Sequence, residues 1–512
     1  MAGQLKVTTT GGSSVIKGQP FNVFVEVSGE TNIDPKTTEI SVTQSSGVQL
    51  IKTFPGGVDK GVFSQQLVFF AAEEMNDDYQ ISFAANTQSK PKLDVSYKAT
   101  DNPELKPETC ILRGSAAYLY DPNPVAFSGT PPTINNPFVS ASINPMLKNG
   151  GPISDYDIPL RATAPVRIFT TDDIEILPYE IDHQKQYYDY LIQKPSTSAV
   201  NLKIYATQDI SNFVEFDTIF HNKEYNQKQV IFITTALINT SSDFEPPVIE
   251  ETYSSSTLTR EDQTDNFHFM IPSYPGAKSG NFIIGFVTDD EKDRYKRQLC
   301  FGQLKREQSG YYKLPADYGN LYDGDNFISY VAVDQKGNVL GSELNFINYD
   351  SSGNNSPDPN DKNRTLVAPE VYNQFGLFVG IYNPVNIHSV GTKGLEVRLL
   401  SDPKNPEHTI AVGDMITITA YISYYVDIFP KKARPLPIVV AQDRVVKSTE
   451  IINGYYKATI TPDQLMGYDS ADGYDVAVLT IDYSRLAPNQ KSKIFTRSFG
   501  TVAPGERGDL GE

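Results

Sequence analysis

The sequence predicts an all-β chain of four β-sandwich modules arranged as an elongated row. Three observations carry this. The tetrapeptide Gly-Tyr-Tyr-Lys occurs twice, as Gly310-Tyr311-Tyr312-Lys313 and Gly454-Tyr455-Tyr456-Lys457, each time followed by a polar turn, an apolar run, a short reversal and a second run. Alternating or β-branched runs around such a reversal read as a hairpin, and a recurring unit of this kind sets the architecture. The composition, with 35 Gly, 34 Pro, 30 Tyr and 27 Phe, favours many short strands and turns over long helices. At 512 residues the chain has the length for three or four separately buried cores.

Residues 1–101 read as the first sandwich. Phe21, Val23, Val25 and Val27 alternate, and Tyr79, Ile81 and Phe83 precede a return through Leu93, Val95 and Tyr97. Residues 102–238 form a divergent second sandwich with a Pro-rich N-terminal segment. Its strands run through Val166 and Ile168, through Val200, Leu202 and Ile204, and through Val214 and Phe216; the Tyr-dense stretch from Tyr179 to Ile192 reads as a short helix or an insert. The third sandwich, 239–352, opens at Pro246-Pro247-Val248-Ile249. It holds the first tetrapeptide copy, then Phe327 to Val333, a reversal at Gln335-Lys336-Gly337, and Leu344 and Phe346 at period two. The fourth, 353–512, has a linker (Ser351 to Arg364), a second opening at Ala368-Pro369, and the second copy. There Tyr474 to Ile481 reverses at Ala487-Pro488-Asn489 and returns from Ile494 to Phe499 before a polar tail. A glycine followed by a polar residue precedes corresponding strands at Gly18-Gln19, Gly280-Asn281 and Gly413-Asp414.

This pattern resembles the tandem immunoglobulin-like (Ig-like) repeats of bacterial surface and adhesin-type proteins. The resemblance is carried by Tyr274-Pro275-Gly276 with Gly280-Asn281 before a strand, and by Tyr312 to Pro315 with Gly324 before the Ser329-Tyr330 strand. It covers 246–350 best and 366–502 less closely. It implies Ig-like sandwiches acting as spacers or binding modules. Antibody-type domains are disfavoured, because the inter-sheet Cys pair and its Trp are absent.

A formal charge of −18 and a pI near 4.8 repel polyanions, so nucleic acid is not an expected partner. Cys110 and Cys300 fall in different modules and are expected to be small buried hydrophobes. The first residues lack the apolar core of a signal peptide, and no run of eighteen apolar residues suits a transmembrane span. The expectation is synthesis in the cytosol and a final place at the cell surface, outside the cell or on a particle.

No nucleophile–base pair, phosphate loop, dinucleotide fingerprint or two-His metal spacing occurs, so no enzymatic activity and no cofactor are expected. Asp350, Asn354, Asp358 and Asp361 are the nearest approach to a calcium loop. Asn355 stands where such a loop needs Gly, and a plain linker is the favoured alternative. Tyr187 and Tyr188, in a cluster of flat apolar faces with hydroxyls, are candidate binding residues, as is Arg507-Gly508-Asp509, which resembles an integrin-recognition tripeptide. In each Tyr-Tyr pair, strand alternation predicts one ring in the core and one at the surface. The function expected is structural or adhesive, through contacts with other proteins or further copies of the chain, in a filament or surface layer. The extended residues before Gly11-Gly12 and the linker 351–364 are the expected points of homo-oligomer contact. The alternatives are a fibre or decoration component of a phage tail or injection particle, and a β-sandwich toxin or binding effector.

Overall fold

The computed structural model describes the chain apart from residues 1–2, 10–12, 31–32, 102, 126–129, 134, 152, 154–156, 194–198, 221–227, 236–241, 254, 261–263, 265, 293, 296, 323, 335–337, 351–355, 424–436, 469–476 and 503–512. The protein is all-β, with two four-residue α-helices among the described residues, Ile387–Val390 and Pro462–Leu465. No helix there is long and apolar enough to cross a membrane. The chain divides into two compact units: unit 1 is 1–114 with 123–235, and unit 2 is 115–122 with 236–512.

In unit 1, one sheet runs in the order Gln4–Thr8, Gln19–Ser28, Val62–Ala71, Val48–Thr53, and a second in the order Ser14–Ile16, Lys92–Thr100, Asp78–Ala85, Ile40–Gln44. Val23, Val25 and Phe69 of the first sheet pack with Ile81, Phe83 and Tyr97 of the second. This is the core expected when strands alternate between two inner faces. The N-terminal strand Gln4–Thr8, expected as a point of self-association, is paired antiparallel along its length with Phe24 to Ser28 of its own sheet. Two further sheets of unit 1 are built around Val200–Tyr205 and Asp157–Ala162.

The stretch from Tyr179 to Ile192 is a hairpin, not a helix. Pro178–Asp182 pairs antiparallel with Tyr187–Gln193. The Asp182 carboxylate closes the turn by accepting the N–H groups of Gln184 and Lys185, and the β-favouring Tyr and Ile side chains supply the strand.

Unit 2 contains one strand order twice. Ser242–Phe244, Val339–Ser342, Gly324–Val333, Phe282–Thr288 and Arg297–Gln303 correspond to Arg364–Leu366, Gln490–Ser492, Ala477–Arg485, Met415–Ser423 and Ile438–Val445. The two Gly-Tyr-Tyr-Lys copies lead into equivalent strands of the facing sheets, Tyr311–Asp317 and Tyr455–Ile460. Tyr312 and Tyr456 are buried, while Tyr311 is 41 % exposed and Tyr455 half-buried. The return after each hairpin is split in two, as Gln490–Ser492 and Phe495–Gly500 both pair with Ala477–Arg485. The break comes where the first strand claims a hydrogen bond: Lys493 N–H donates to Leu366 O at 2.8 Å, and Glu343 N–H to Phe244 O at 3.0 Å.

Gly18, Gly280 and Gly413 sit at φ +76, +91 and +91, a conformation only glycine adopts without strain. Their N–H groups donate to Ala71, Leu304 and Val446, which turns the chain so that Gln19, Asn281 and Asp414 are buried. Cys110 and Cys300 are buried free thiols, and burial pushes the Cys300 thiol up to about 12.

Tyr330 and Tyr483 are equivalent. Their N–H groups donate to Ser342 Oγ and Ser492 Oγ at 2.9 and 3.0 Å, and their buried hydroxyls have no hydrogen-bond partner among the described residues. A buried unsatisfied hydroxyl costs about 1–3 kcal/mol. Tyr330→Phe and Tyr483→Phe are therefore expected to raise unfolding stability by about 1 kcal/mol each in denaturant titrations; a loss of that size would show that each hydroxyl is satisfied in solution.

Candidate protein-binding surface

Between the strand Glu370–Tyr372 and the helix Ile387–Val390, unit 2 presents a loop whose large apolar side chains face outward. Phe375, Leu377, Phe378, Ile381 and Tyr382 are 50–90 % exposed, Tyr382 the most, and Ile387 is 39 % exposed. No Asp, Glu, Lys or Arg occurs between Glu370 and Lys393, in a chain carrying −18.

The loop is braced from below. Asn373 begins it: its side-chain oxygen accepts the N–H groups of Phe375 and Leu377, and Gly376, at φ +74, lets the chain reverse. Val379 N–H donates to Val371 O at 2.8 Å. Val371, Val379, Val385 and Val390 are buried in the core beneath. Arg497 donates from Nε to Gly380 O at 2.8 Å and from Nη2 to Val379 O at 3.0 Å. On the far side, Gln374 Nε2 donates to His388 O at 2.6 Å, and Asn386 caps the helix by accepting Ser389 N–H. Tyr372 connects the loop to the sheet, with the Arg398 guanidinium 3.5 Å over its ring and Phe378 edge-on at 5.7 Å.

The backbone is thus held by hydrogen bonds at several points while the apolar side chains are left in water. A rigid surface loses little conformational freedom on binding. Exposed aromatic and aliphatic anchors with charge depleted around them match the centre of a protein–protein interface.

None of the described residues singled out in the sequence belongs to this loop. Tyr187 and Tyr188 lie half-buried in the hairpin of unit 1, Tyr187 with the Arg161 guanidinium 3.8 Å over its ring. Asp350 ends the strand Asn345–Asp350. Asp358 accepts the Asn360 N–H at 2.7 Å, and Asp361 pairs with Lys491 at 2.7 Å. Among the described residues no group of three or more His, Cys, Asp or Glu is arranged to hold a metal ion. Asn354, Arg507, Gly508 and Asp509 lie outside the described residues. Sequence reasoning missed the loop because Phe375, Leu377, Val379 and Ile381 alternate like a buried strand. The signals that could have marked it are the 22 uncharged positions and the glycines at 376 and 380.

No protein-family model matches the chain, and no curated protein matches it. Among solved structures the chain is similar to the C-terminal domain of the AgI/II polypeptide BspA of Streptococcus agalactiae, at 8% identity and TM-score 0.16, over 45% of this chain and 99% of that one. It is also similar to the adhesin InvE of Yersinia pseudotuberculosis, at 8% identity and TM-score 0.16, over 53% and 67%, and to InvD of the same organism, at 10% identity and TM-score 0.17, over 68% and 98%.

Proposed function

We propose that this chain is a non-enzymatic structural or adhesive protein, built of four sandwich modules with boundaries near residues 101, 238 and 352, that acts through protein–protein contacts at the 375–382 loop. The observation that carries the reading is a braced, charge-free loop exposing five large apolar side chains. Exposed apolar patches of this kind mark protein or membrane interaction sites. A protein partner is favoured over lipid, because membrane-surface elements place Lys and Arg beside their apolar face, whereas the loop's own sequence has none, the adjacent Arg497 and Arg398 are engaged by the loop's carbonyls and by Glu396, and the chain is strongly acidic. Such a surface serves at a cell surface, in the extracellular space or on a particle, where partners are met.

The test replaces Tyr382 with a photo-crosslinking phenylalanine in the cells that make the protein, with the same probe at Tyr253, which is 64 % exposed, as the comparison. One defined crosslinked species is expected from position 382, lost when Leu377→Ser and Ile381→Ser are added. These changes should alter stability by only about 0.5 kcal/mol, because the side chains are exposed. A crosslink to the same chain identifies self-assembly, and one to another protein identifies adhesion. No adduct above the Tyr253 level would sink the reading.

A further inference from the structure

Unit 1 contains a second feature, unrelated to the loop. The outer faces of two of its sheets meet where Asn22 N–H donates to Asp157 Oδ2 at 2.6 Å and where Phe54, Val68 and Leu191 pack together. Beside this contact a cleft of about 440 Å3 remains open, within the range of ligand pockets. Pro20, Phe70, Pro159 and Ile219 give it apolar walls.

Each sheet also contributes its terminal strand to the lining. Val48–Thr53 ends one sheet order and Pro178–Asp182 the other, so among the described residues each has one side with no strand paired to it. Both strands are bulged at the cleft: the register shifts between Leu50 and Lys52, leaving Ile51, and between Pro178 and Glu180, leaving Tyr179. Ile51 and Tyr179 both line the cleft. Bulges re-aim side chains, and they recur beside functional sites.

The charges are unequal. Arg161 meets Asp189 through Nε and Nη2, each at 2.8 Å, and the Asp189 side chain is only 4 % exposed. That guanidinium is committed to Asp189 and stacked on Tyr187. Glu180, exposed at the lining, adds a second carboxylate. The lining therefore carries a net negative charge beside apolar walls and open strand backbone.

We propose that this cleft binds an extended polypeptide segment bearing a lysine or arginine. Its backbone pairs with the open side of Val48–Thr53, its apolar side chains enter between Phe70, Pro20 and Pro159, and its cation meets Glu180. Strand addition supplies affinity through main-chain hydrogen bonds, and the pockets supply selectivity.

The test uses the full chain, immobilised, to select from a library of ten-residue peptides displayed on phage. Selected peptides are then synthesised and their affinities measured by fluorescence anisotropy. Enrichment of Lys or Arg among alternating apolar residues is expected. Binding should weaken at least tenfold in Glu180→Lys, with Glu180→Gln as the milder variant if the first fails to fold, and stay unchanged in Tyr382→Ser. The Tyr382 arm separates this site from the loop, so either proposal can fail alone. No enriched peptide, enrichment without basic residues, or affinity indifferent to Glu180 would overturn the inference.

Discussion

Replacing Arg485 by alanine should destabilise unit 2 by about 3–5 kcal/mol, the usual cost of removing one member of a buried ion pair. Arg485 Nη1 lies 3.1 Å from Asp414 Oδ2, with both side chains 5 % exposed or less. The same nitrogen donates to the carbonyls of Pro406 and Thr409 at 3.1 and 3.3 Å, and Nη2 donates to Gln490. Among the described residues, truncation would leave the Asp414 carboxylate held only by the Ala411 N–H at 2.8 Å, beside the carbonyls that Arg485 had bonded. Adding Asp414→Asn removes the stranded charge, so the double variant should cost less than the two single variants together, which identifies coupling between neighbours. The readout is hydrogen-exchange protection of the strand Met415–Ser423. Additive losses would show that the two groups do not act as a pair.

Asp157→Asn should stabilise unit 1 above pH 7. Burial pushes the Asp157 carboxyl up from an ordinary 3.8 to about 7, against the opposing bond from Asn22. A folded carboxyl with a raised pKa binds its proton more tightly than the unfolded chain does. Its contribution is fully present below about pH 4 and is lost as pH rises to about 7. The whole interval corresponds to about 4 kcal/mol; Asp157 keeps partial exposure, so about 1–3 kcal/mol is expected. Asparagine keeps an oxygen to accept the Asn22 N–H and has no charge to bury. Unfolding of wild type and variant between pH 4 and 8 should diverge with rising pH, the variant staying flatter. Parallel curves would show that Asp157 ionises freely.

The tandem sandwiches were legible because their determinants are local. Gly-Tyr-Tyr-Lys places one ring inward, and a glycine before a strand marks a corner where φ must be positive; both are written in adjacent residues. The cleft of unit 1 was not legible. Its walls come from segments near residues 20, 50, 70, 160, 180 and 219, and nothing local announces that two outer faces will meet. The binding loop failed for a different reason: an alternating apolar run has the same appearance whether or not a second sheet covers it, and here only Val379 of the four is covered. Tyr187 was singled out for its ring, yet its significance lies in Arg161, which lies 26 positions earlier and stacks on it.

The duplicated strand order in unit 2 raises a question of fidelity during synthesis. Two neighbouring repeats of one topology can exchange equivalent strands and become trapped in a swapped form. The short first strands are the exposed point, since each pairs in parallel with its return strand over only a few residues. Their anchors, however, differ at both positions, with Phe244 matched by Leu366 and Ser242 by Arg364. Phe244 sits among aromatic rings, 4.6 Å from Tyr274 and 6.2 Å from Tyr330. Arg364 instead reaches Asp482 at 2.9 Å and the Ser492 carbonyl at 2.7 Å. A swap would set Leu366 in place of Phe244 against Tyr274 and Tyr330 and would take Arg364 away from Asp482, and losing one member of a buried ion pair costs about 3–5 kcal/mol. The divergence between the two copies, Ser242 against Arg364 and Phe244 against Leu366, therefore disfavours exchange and favours each repeat closing on itself.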